Sequence, residues 1–458
     1  MTAIITDALK SKLLDTVYDE YKAGTIKYYI GIGKSEQWDS SETVPAATNS
    51  LRTVRNSRLS LQSIKLAQDV SYVIPRNNWS SGTVYTAYDD AYSAYPTNAY
   101  YVMTEDNQIY ICLQAGIDSN GDAVASTVKP TGTTTIPFRT SDGYVWKFLY
   151  SLSGVSSSRF LSANFLPVEK IEDSADDPGL NAIQSEQVGI QNAASAGQVI
   201  GVKMLTGGAG YTSAPTVAID GDGAGATATA TVSGGIVTKI ELDSSSDSGM
   251  SMGSGYHFAG IRLTGGGSST TATARAILGP DSGIGANPIK DLRSTSLMFN
   301  SKPAGTEGGD FIVNQDFRQI ALIRKPTLFA DSAYTATSGK VVRYLHLTSQ
   351  ADAANFVVDR TITGGASSAK AIIDQVDSDK IYAHQTEDTG FISFQEAEAV
   401  TSPGATGTLK AAAFDADSDA FTNEDVNKFG GEILYVENRS PVRRDASQTE
   451  DIKIVISL

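Results

Sequence analysis

Apolar residues at Ile5, Leu9, Leu13, Val17 and Tyr21 recur every four positions, and Leu14 and Tyr18 widen the stripe. This spacing predicts a helix over 4–21, ended by Gly24. Its stripe needs a cover, supplied by the chain itself or by a partner. The period then changes. Ile26, Tyr28, Ile30 and Ile32 alternate with smaller or polar residues, which predicts a half-buried strand. Residues 39–58 are polar and show no periodicity that assigns an element. Val70–Ile74 predicts a strand closed by Pro75. Residues 77–98 carry Gly82, Pro96 and many Tyr, Ser and Asn, as expected of a long ordered loop with tyrosines packed at its base. Tyr100–Met103 and Gln108–Leu113 flank Glu105-Asp106-Asn107 and predict a hairpin. Tyr144, Trp146, Phe148 and Tyr150 alternate, so one strand places four rings on a single face that needs a deep core or a partner opposite it.

The pattern loses its bulky residues near position 198. From there to 280 the chain is rich in Gly, Ala, Thr and Ser, and it repeats itself. Gly208-Ala209-Gly210-Tyr211 returns 45 residues later as Gly253-Ser254-Gly255-Tyr256. Each copy is followed by an apolar stretch, a glycine cluster and a small-residue run (226–232 and 271–277). Two copies of a β-unit, packed together as one inserted module, are expected. Residues 281–331 return to ordinary composition, with a strand at Gln319–Arg324 ended by Pro326. A second Gly-, Ala-, Ser- and Asp-rich stretch, 332–412, has alternating runs at 341–347, 356–362 and 369–373 and predicts a second β-insertion. Strands at Glu432–Glu437 and over Ile452, Ile454, Ile456 and Leu458 complete the pattern. The fold class expected is mainly β (α+β). A sandwich or barrel-like core carries a few helices, long loops and two inserted Gly-rich modules. Its segments are 1–197, 281–331 and 413–458 for the core, and 198–280 and 332–412 for the insertions.

Charge and composition then remove classes of function. The 458 residues hold 36 Lys plus Arg against 51 Asp plus Glu, a formal charge of −15. Nucleic acid and anionic membrane surfaces repel such a chain, so neither is expected as a partner. Charged residues are 19% and apolar ones 41%, a globular balance. No apolar run reaches the length needed to span a bilayer, and the acids in the first 21 residues argue against a secretory signal. The one cysteine, Cys112, excludes an internal disulfide or a Cys-rich zinc site and reads as a small core hydrophobe. His257, His346 and His384 form no ligand pair at helical spacing.

Candidate chemistry is sparse. Asp118-Ser119-Asn120-Gly121-Asp122 begins like a calcium loop, but Ala123 and Lys129 stand where glycine and glutamate are needed, so an Asn-Gly turn is expected. Asp415, Asp417 and Asp419 fail in the same way, with Ala420 and Val426 at those places, and read as a solvated acidic loop. The glycine clusters fit no phosphate cradle, and neither a nucleophile elbow nor an H-E-x-x-H helix is present. No catalytic residue, metal site or cofactor is expected. The surplus is aromatic. Trp38, Trp79 and Trp146 lie in segments that suit packing or interfaces. Tyr211 and Tyr256, equivalent in the repeat, are candidates to face a sugar ligand or to plug the end of their own β-units.

Six stretches, in order, carry a resemblance. They are Gly33-Lys34-Ser35-Glu36-Gln37-Trp38, Val73-Ile74-Pro75-Arg76-Asn77-Asn78-Trp79, Asp142-Gly143-Tyr144-Val145-Trp146-Lys147-Phe148-Leu149, Phe317-Arg318-Gln319-Ile320-Ala321-Leu322-Ile323, Gly431-Glu432-Ile433-Leu434-Tyr435-Val436-Glu437-Asn438-Arg439-Ser440-Pro441, and Gln448-Thr449-Glu450-Asp451. In them the chain resembles the dimeric baseplate wedge subunits of T-even-type contractile-tailed bacteriophages. Family members are shorter, and the extra length here falls in 198–280 and 332–412, about which the resemblance is silent. It implies a mostly β body, a two-fold homodimer, contacts with other baseplate wedge proteins, a place in the virion tail and no catalytic activity. It nominates Trp38, Pro75, Arg76, Trp79, Tyr144, Trp146, Arg318, Glu437, Asn438 and Arg439 as structural or interface residues. Arg439 is expected to fix a turn just after a strand. The competing expectation is a receptor- or glycan-binding tail module carried by the insertions, with Tyr211 and Tyr256 facing the ligand.

Overall fold

The computed structural model describes residues 4–172, 179–245, 249–412, 420–422 and 424–458. The acidic run Asp415–Asp419 lies outside the described residues. The chain is mainly β, 39% strand and 12% helix, as its alternating runs require. It forms two compact units, Met1–Ser11 with Ser71–Ser296, and Lys12–Val70 with Leu297–Leu458. The Gly-rich segments are thus shared out, one to each unit.

In the first unit, strands Tyr101–Met103, Gln108–Gln114, Val145–Ser151 and Phe138–Arg139 make one antiparallel sheet in that order. The expected hairpin turns at Asn107, whose φ of 58° an asparagine tolerates. Tyr85, Val102, Tyr110, Cys112, Tyr144, Trp146, Phe148 and Ile190 form one core cluster. Tyr144 stacks on Trp146 with ring centroids 5.6 Å apart, and Tyr85 meets Trp146 edge-on at 5.7 Å. Only three of the four alternating rings share this core. A bulge skips Leu149, because Ile109 pairs with Tyr150 while Tyr110 pairs with Phe148. The extra residue resets the alternation, and Tyr150 donates its hydroxyl to Pro167 O at 2.8 Å instead.

Residues 198–280 realise the repeat with an exchange. The outer strands Val199–Thr206 and Thr273–Leu278 pair antiparallel and close the module. Inside, Thr216–Gly221 pairs with Ala259–Thr264, Thr216 opposite Thr264 and Ile219 opposite Ile261. Those partners swap under the 45-residue offset, so the two copies face each other across a local pseudo-dyad. The tyrosines obey it too. Tyr211 Oη accepts the Ala272 N–H at 2.8 Å, and Tyr256 Oη accepts the Ala226 N–H at 3.4 Å. Each ring therefore plugs the small-residue strand of the other copy, not its own. Gly208 (φ 64°) and Gly253 (φ 59°) permit this, since a Cβ on either would strike the backbone oxygen of Thr270 or Ala224.

The second unit is built on strands Ser338–Lys340, Leu61–Leu66, Tyr28–Gly33, Asp316–Arg324 and Glu432–Arg443, antiparallel and in that order. Tyr28–Gly33 is buried on both faces rather than half-buried. Tyr29, Leu61, Ile64, Ala321, Ile323, Tyr334, Val341 and Val426 pack together around this sheet. A seven-stranded sheet in the same unit draws six of its strands from 332–412 and has its own aliphatic core, including Leu347, Ile362, Ile373, Ile381 and Val400. Residues 39–58, which no periodicity assigns, run into helix α2 (Leu51–Leu59), started by Ser50, whose side chain accepts the Thr53 N–H at 3.1 Å. As an N-cap, Ser50 was the available signal.

The N-terminal helix, α1 (Asp7–Lys22), ends at Gly24 (φ 68°) as expected. Its stripe does not lie on one side. Ile5 precedes the helix, and steps of four residues drift by about 40° each on a 3.6-residue helix, so Leu9 and Tyr21 point about 120° apart. Leu14 is buried and Tyr21 donates to Ala67 O at 2.9 Å, whereas Ile5, Leu9 and Leu13 are 64%, 50% and 52% exposed. The chain covers the end of the stripe near Tyr21 and leaves its beginning to solvent.

Candidate functional site

Four of the nominated residues meet in the second unit. Trp38 donates its indole N–H to Arg439 O at 3.0 Å. Arg318, 3% exposed, forks onto Glu42 at 2.9 and 2.7 Å, reaches Asp316 at 3.2 Å and donates to Ser35 O. Gln319 donates to Asn438 Oδ1 at 2.7 Å, and Asn438 donates in turn to Pro45 O at 3.0 Å. Three stretches far apart in sequence (33–38, 317–323 and 431–441) are thereby joined, by two side chain to backbone bonds and one between side chains. The register explains it, because Gln319 lies opposite both Gly33 and Asn438 across adjacent strands.

Trp38, Gln319 and Asn438 help to line a polar cleft of about 390 Å³, with Lys34, Glu36 and Asn56. From its wall a row of alternating charge runs inward to a buried end. Asp374 meets His384 Nδ1 at 2.7 Å, His384 Nε2 lies 3.3 Å from Glu36, and Glu36 pairs with Lys34 at 2.8 Å. Ser35 Oγ and Gln62 Nε2 donate to the other oxygen of Asp374 at 2.8 and 3.1 Å. Burial opposes charge on His384, but Asp374 and Glu36 overcome it and lift the imidazole to about 10. Burial likewise opposes charge on Glu36, yet His384 and Lys34 hold its carboxyl well below the usual range. At neutral pH the imidazolium has no lone pair to offer. Ser35 is turned toward Asp374, not toward the imidazole, so the row lacks the nucleophile–base contact of a hydrolytic triad. Its chemistry is electrostatic: it ties the 34–36 segment to strands Lys370–Asp377 and Lys380–His384.

No residue spacing in the sequence marks this row. His384 stood as one of three dispersed histidines, and Asp374 as one of 51 acids. A bulge between Ile373 and Gln375 leaves Asp374 without a cross-strand partner and beside His384. Glu36, within the Gly33–Trp38 stretch, was the one available pointer.

Other nominated residues sit elsewhere. Glu437, Asn438 and Arg439 lie inside the strand Glu432–Arg443, not after it. Glu437 accepts the Tyr435 hydroxyl at 2.9 Å. Arg439 fixes no turn; its buried Nε has no hydrogen-bond partner, and it is the Arg439 carbonyl that is engaged. In the first unit, Arg76 donates to Ser162 O at 2.9 Å and Asn78 Oδ1 at 3.0 Å, Pro75 O accepts the Tyr101 hydroxyl at 2.7 Å, and Trp79 donates to Ser126 Oγ at 3.1 Å. Tyr144 and Trp146 are wholly buried, so their rings are core and face no partner. The ligand-facing expectation for Tyr211 and Tyr256 is corrected as well. They are 5% and 4% exposed, because each ring fills the gap over the other copy's glycines and alanines. Cys112 is buried, and burial pushes its thiol far up, which leaves it an inert hydrophobe. Asp118 forms the expected turn, accepting the N–H groups of Asn120 and Asp122 at 2.8 and 3.0 Å.

Among the described residues, no group of three His, Cys, Asp or Glu side chains is placed to hold a metal ion, and no helix is long and apolar enough to cross a membrane. The fold thus defines a mainly β, two-unit chain whose charged cleft is braced by buried ion pairs. No family model matches the chain, and no curated protein matches it.

Proposed function

We propose that the chain is a non-catalytic structural subunit of a contractile phage tail baseplate wedge, working as a homodimer that links other wedge proteins and takes part in the rearrangement at infection. The observation that carries this reading is the meeting of three resembling stretches, 33–38, 317–323 and 431–441, through the contacts of Trp38, Arg318, Gln319 and Asn438. Residues that recur together in a family and brace one another are expected to be the frame of its fold. Two further observations favour a mechanical role. The ionisable cluster is locked in ion pairs, and two leucines one turn apart on α1, Leu9 and Leu13, are left to solvent. Such a pair is the candidate docking element.

The test is genetic and uses the whole particle. In a phage that encodes this chain, removing it should yield tails without a complete baseplate, and Leu9→Asp with Leu13→Asp should do the same while the purified variant keeps its melting temperature. Complete, contracting tails in the absence of the chain would refute the reading.

A further inference from the structure

A second concavity in the second unit, of about 310 Å³, differs in kind from the polar cleft. Leu59, Leu345, Ala371, Ala383, Phe394 and Phe421 are among its lining. Its lips, Phe391 and Phe429, are 56% and 58% exposed, and Ile392 beside Phe391 is 55% exposed. Single exposed apolar residues are ordinary, but two rings at the mouth of one cavity, with a third apolar side chain beside them, are not.

These lips are held open. Arg58 donates to the carbonyls of Lys428, Gly430 and Gly431 at 2.8, 3.0 and 2.7 Å, clamping the loop on both sides of Phe429. Asn427 Oδ1 accepts the Phe429 N–H at 3.0 Å. On the other lip, Gln385 donates to Lys370 O at 3.0 Å and Ile392 O at 2.8 Å. Hydrogen bonds to backbone thus fix the loops that carry the exposed rings. Such preorganisation removes much of the ordering cost of binding.

The charge at the rim selects the occupant. Arg343 and Lys428 both pair with one carboxylate, Glu424, at 3.2 and 3.1 Å. Glu424 is 1% exposed, while Arg343 is 57% exposed. Among the described residues one anion serves two cations, and the surplus positive charge sits on the residue that faces solvent. His384 also borders the cavity, but Asp374 and Glu36 already neutralise it.

We infer that this cavity is a docking site for a segment of a separate protein. That segment inserts one large apolar side chain between Phe391 and Phe429 and sets a neighbouring carboxylate on Arg343. The inference rests on the cavity alone and is independent of the assembly reading.

The test measures binding of short fluorescent peptides to the full chain. One carries a central Leu-Phe pair flanked by acids, a second the same pair flanked by lysines, a third the acids with Ser-Ser at the centre. The first should bind at least about tenfold tighter than the other two. Phe429→Ser should weaken it by at least about tenfold with no change in melting, since that ring is mostly solvated. Arg343→Ala should erase the preference for acidic over basic flanks and leave the preference for Leu-Phe. Equal binding of all three peptides, or none, would overturn the inference. So would undiminished binding to Phe429→Ser, or a concentration-dependent dimer that Phe429→Ser abolishes, which would assign the cavity to a second copy.

Discussion

The two Gly-rich segments look alike in composition and are held by opposite means. Residues 198–280 are organised by symmetry. Two copies exchange their tyrosines across a pseudo-dyad, and the core is a thin layer of Tyr211, Ala230, Val237, Ile240, Leu263 and Ala272. Residues 332–412 have no such repeat. They form most of a seven-stranded sheet with a thicker aliphatic core, and the buried row of Asp374, His384 and Glu36 ties them to the 34–36 segment. Small residues let backbones approach closely. What holds each segment, an exchanged ring in one and an aliphatic core tied down by an ion pair in the other, decides how each fails.

The largest effect is expected from Asp374→Ala. It leaves His384 buried with one counter-charge fewer and strands the Ser35 and Gln62 donors, a loss of about 3–5 kcal/mol. Urea denaturation should show it, with hydrogen exchange placing the loss in the second unit. A loss below about 1 kcal/mol would mean that the ion pair is not what anchors this segment. Tyr211→Ala and Tyr256→Ala should each cost about 3 kcal/mol, and protection should fall in both copies of the repeat at once. Loss confined to one copy would break the exchanged arrangement.

Sensitivity to pH should separate the segments next. His384 has its folded value raised from 6.5 to about 10, so its contribution is fully present below 6.5 and is lost as the pH rises through 10. In the first segment, N–H donors from His257 and Phe258 depress Asp222 from 3.8 to about 2. Its contribution is present above 3.8 and lost as the pH falls through 2. Melting followed from pH 6 to 10 should therefore destabilise the second unit in the native chain and change less in Asp374→Ala. A parallel decline in both would contradict the account.

Smaller effects test finer geometry. Tyr211→Phe removes the 2.8 Å acceptor and should cost about 1–2 kcal/mol, more than Tyr256→Phe, whose bond is 3.4 Å. The smallest change is expected from Arg439→Ala. Its engaged atom is the carbonyl, which the substitution keeps, so melting should move by less than about 0.5 kcal/mol-equivalent.

The same contrast shows what sequence alone carries. Periodicity located α1 and its stop, the hairpin at 100–113 and the strand at 144–150, because these patterns are local. The repeat was legible because its two Gly-x-Gly-Tyr copies match. Its exchange was not, since both partnerships satisfy the same local pattern and only the pairing of Thr216–Gly221 with Ala259–Thr264 distinguishes them. Helix α2 was hidden by a polar stretch whose helical signal was one capping serine. The Asp374–His384 contact depends on a bulge, and no residue spacing announces a bulge. The fate of the α1 stripe needed helix geometry, since a four-residue repeat reads as one face while it winds about the axis.

The central claim, a dimeric wedge subunit, is tested most directly by cross-linking mass spectrometry on intact particles of a phage encoding this chain. The account predicts cross-links from the exposed side of α1 and from residues around the polar cleft to other baseplate proteins. It also predicts self-links between identical residues that only two copies can form. Absence of the chain from purified particles, or links to tail fibres alone, would contradict it.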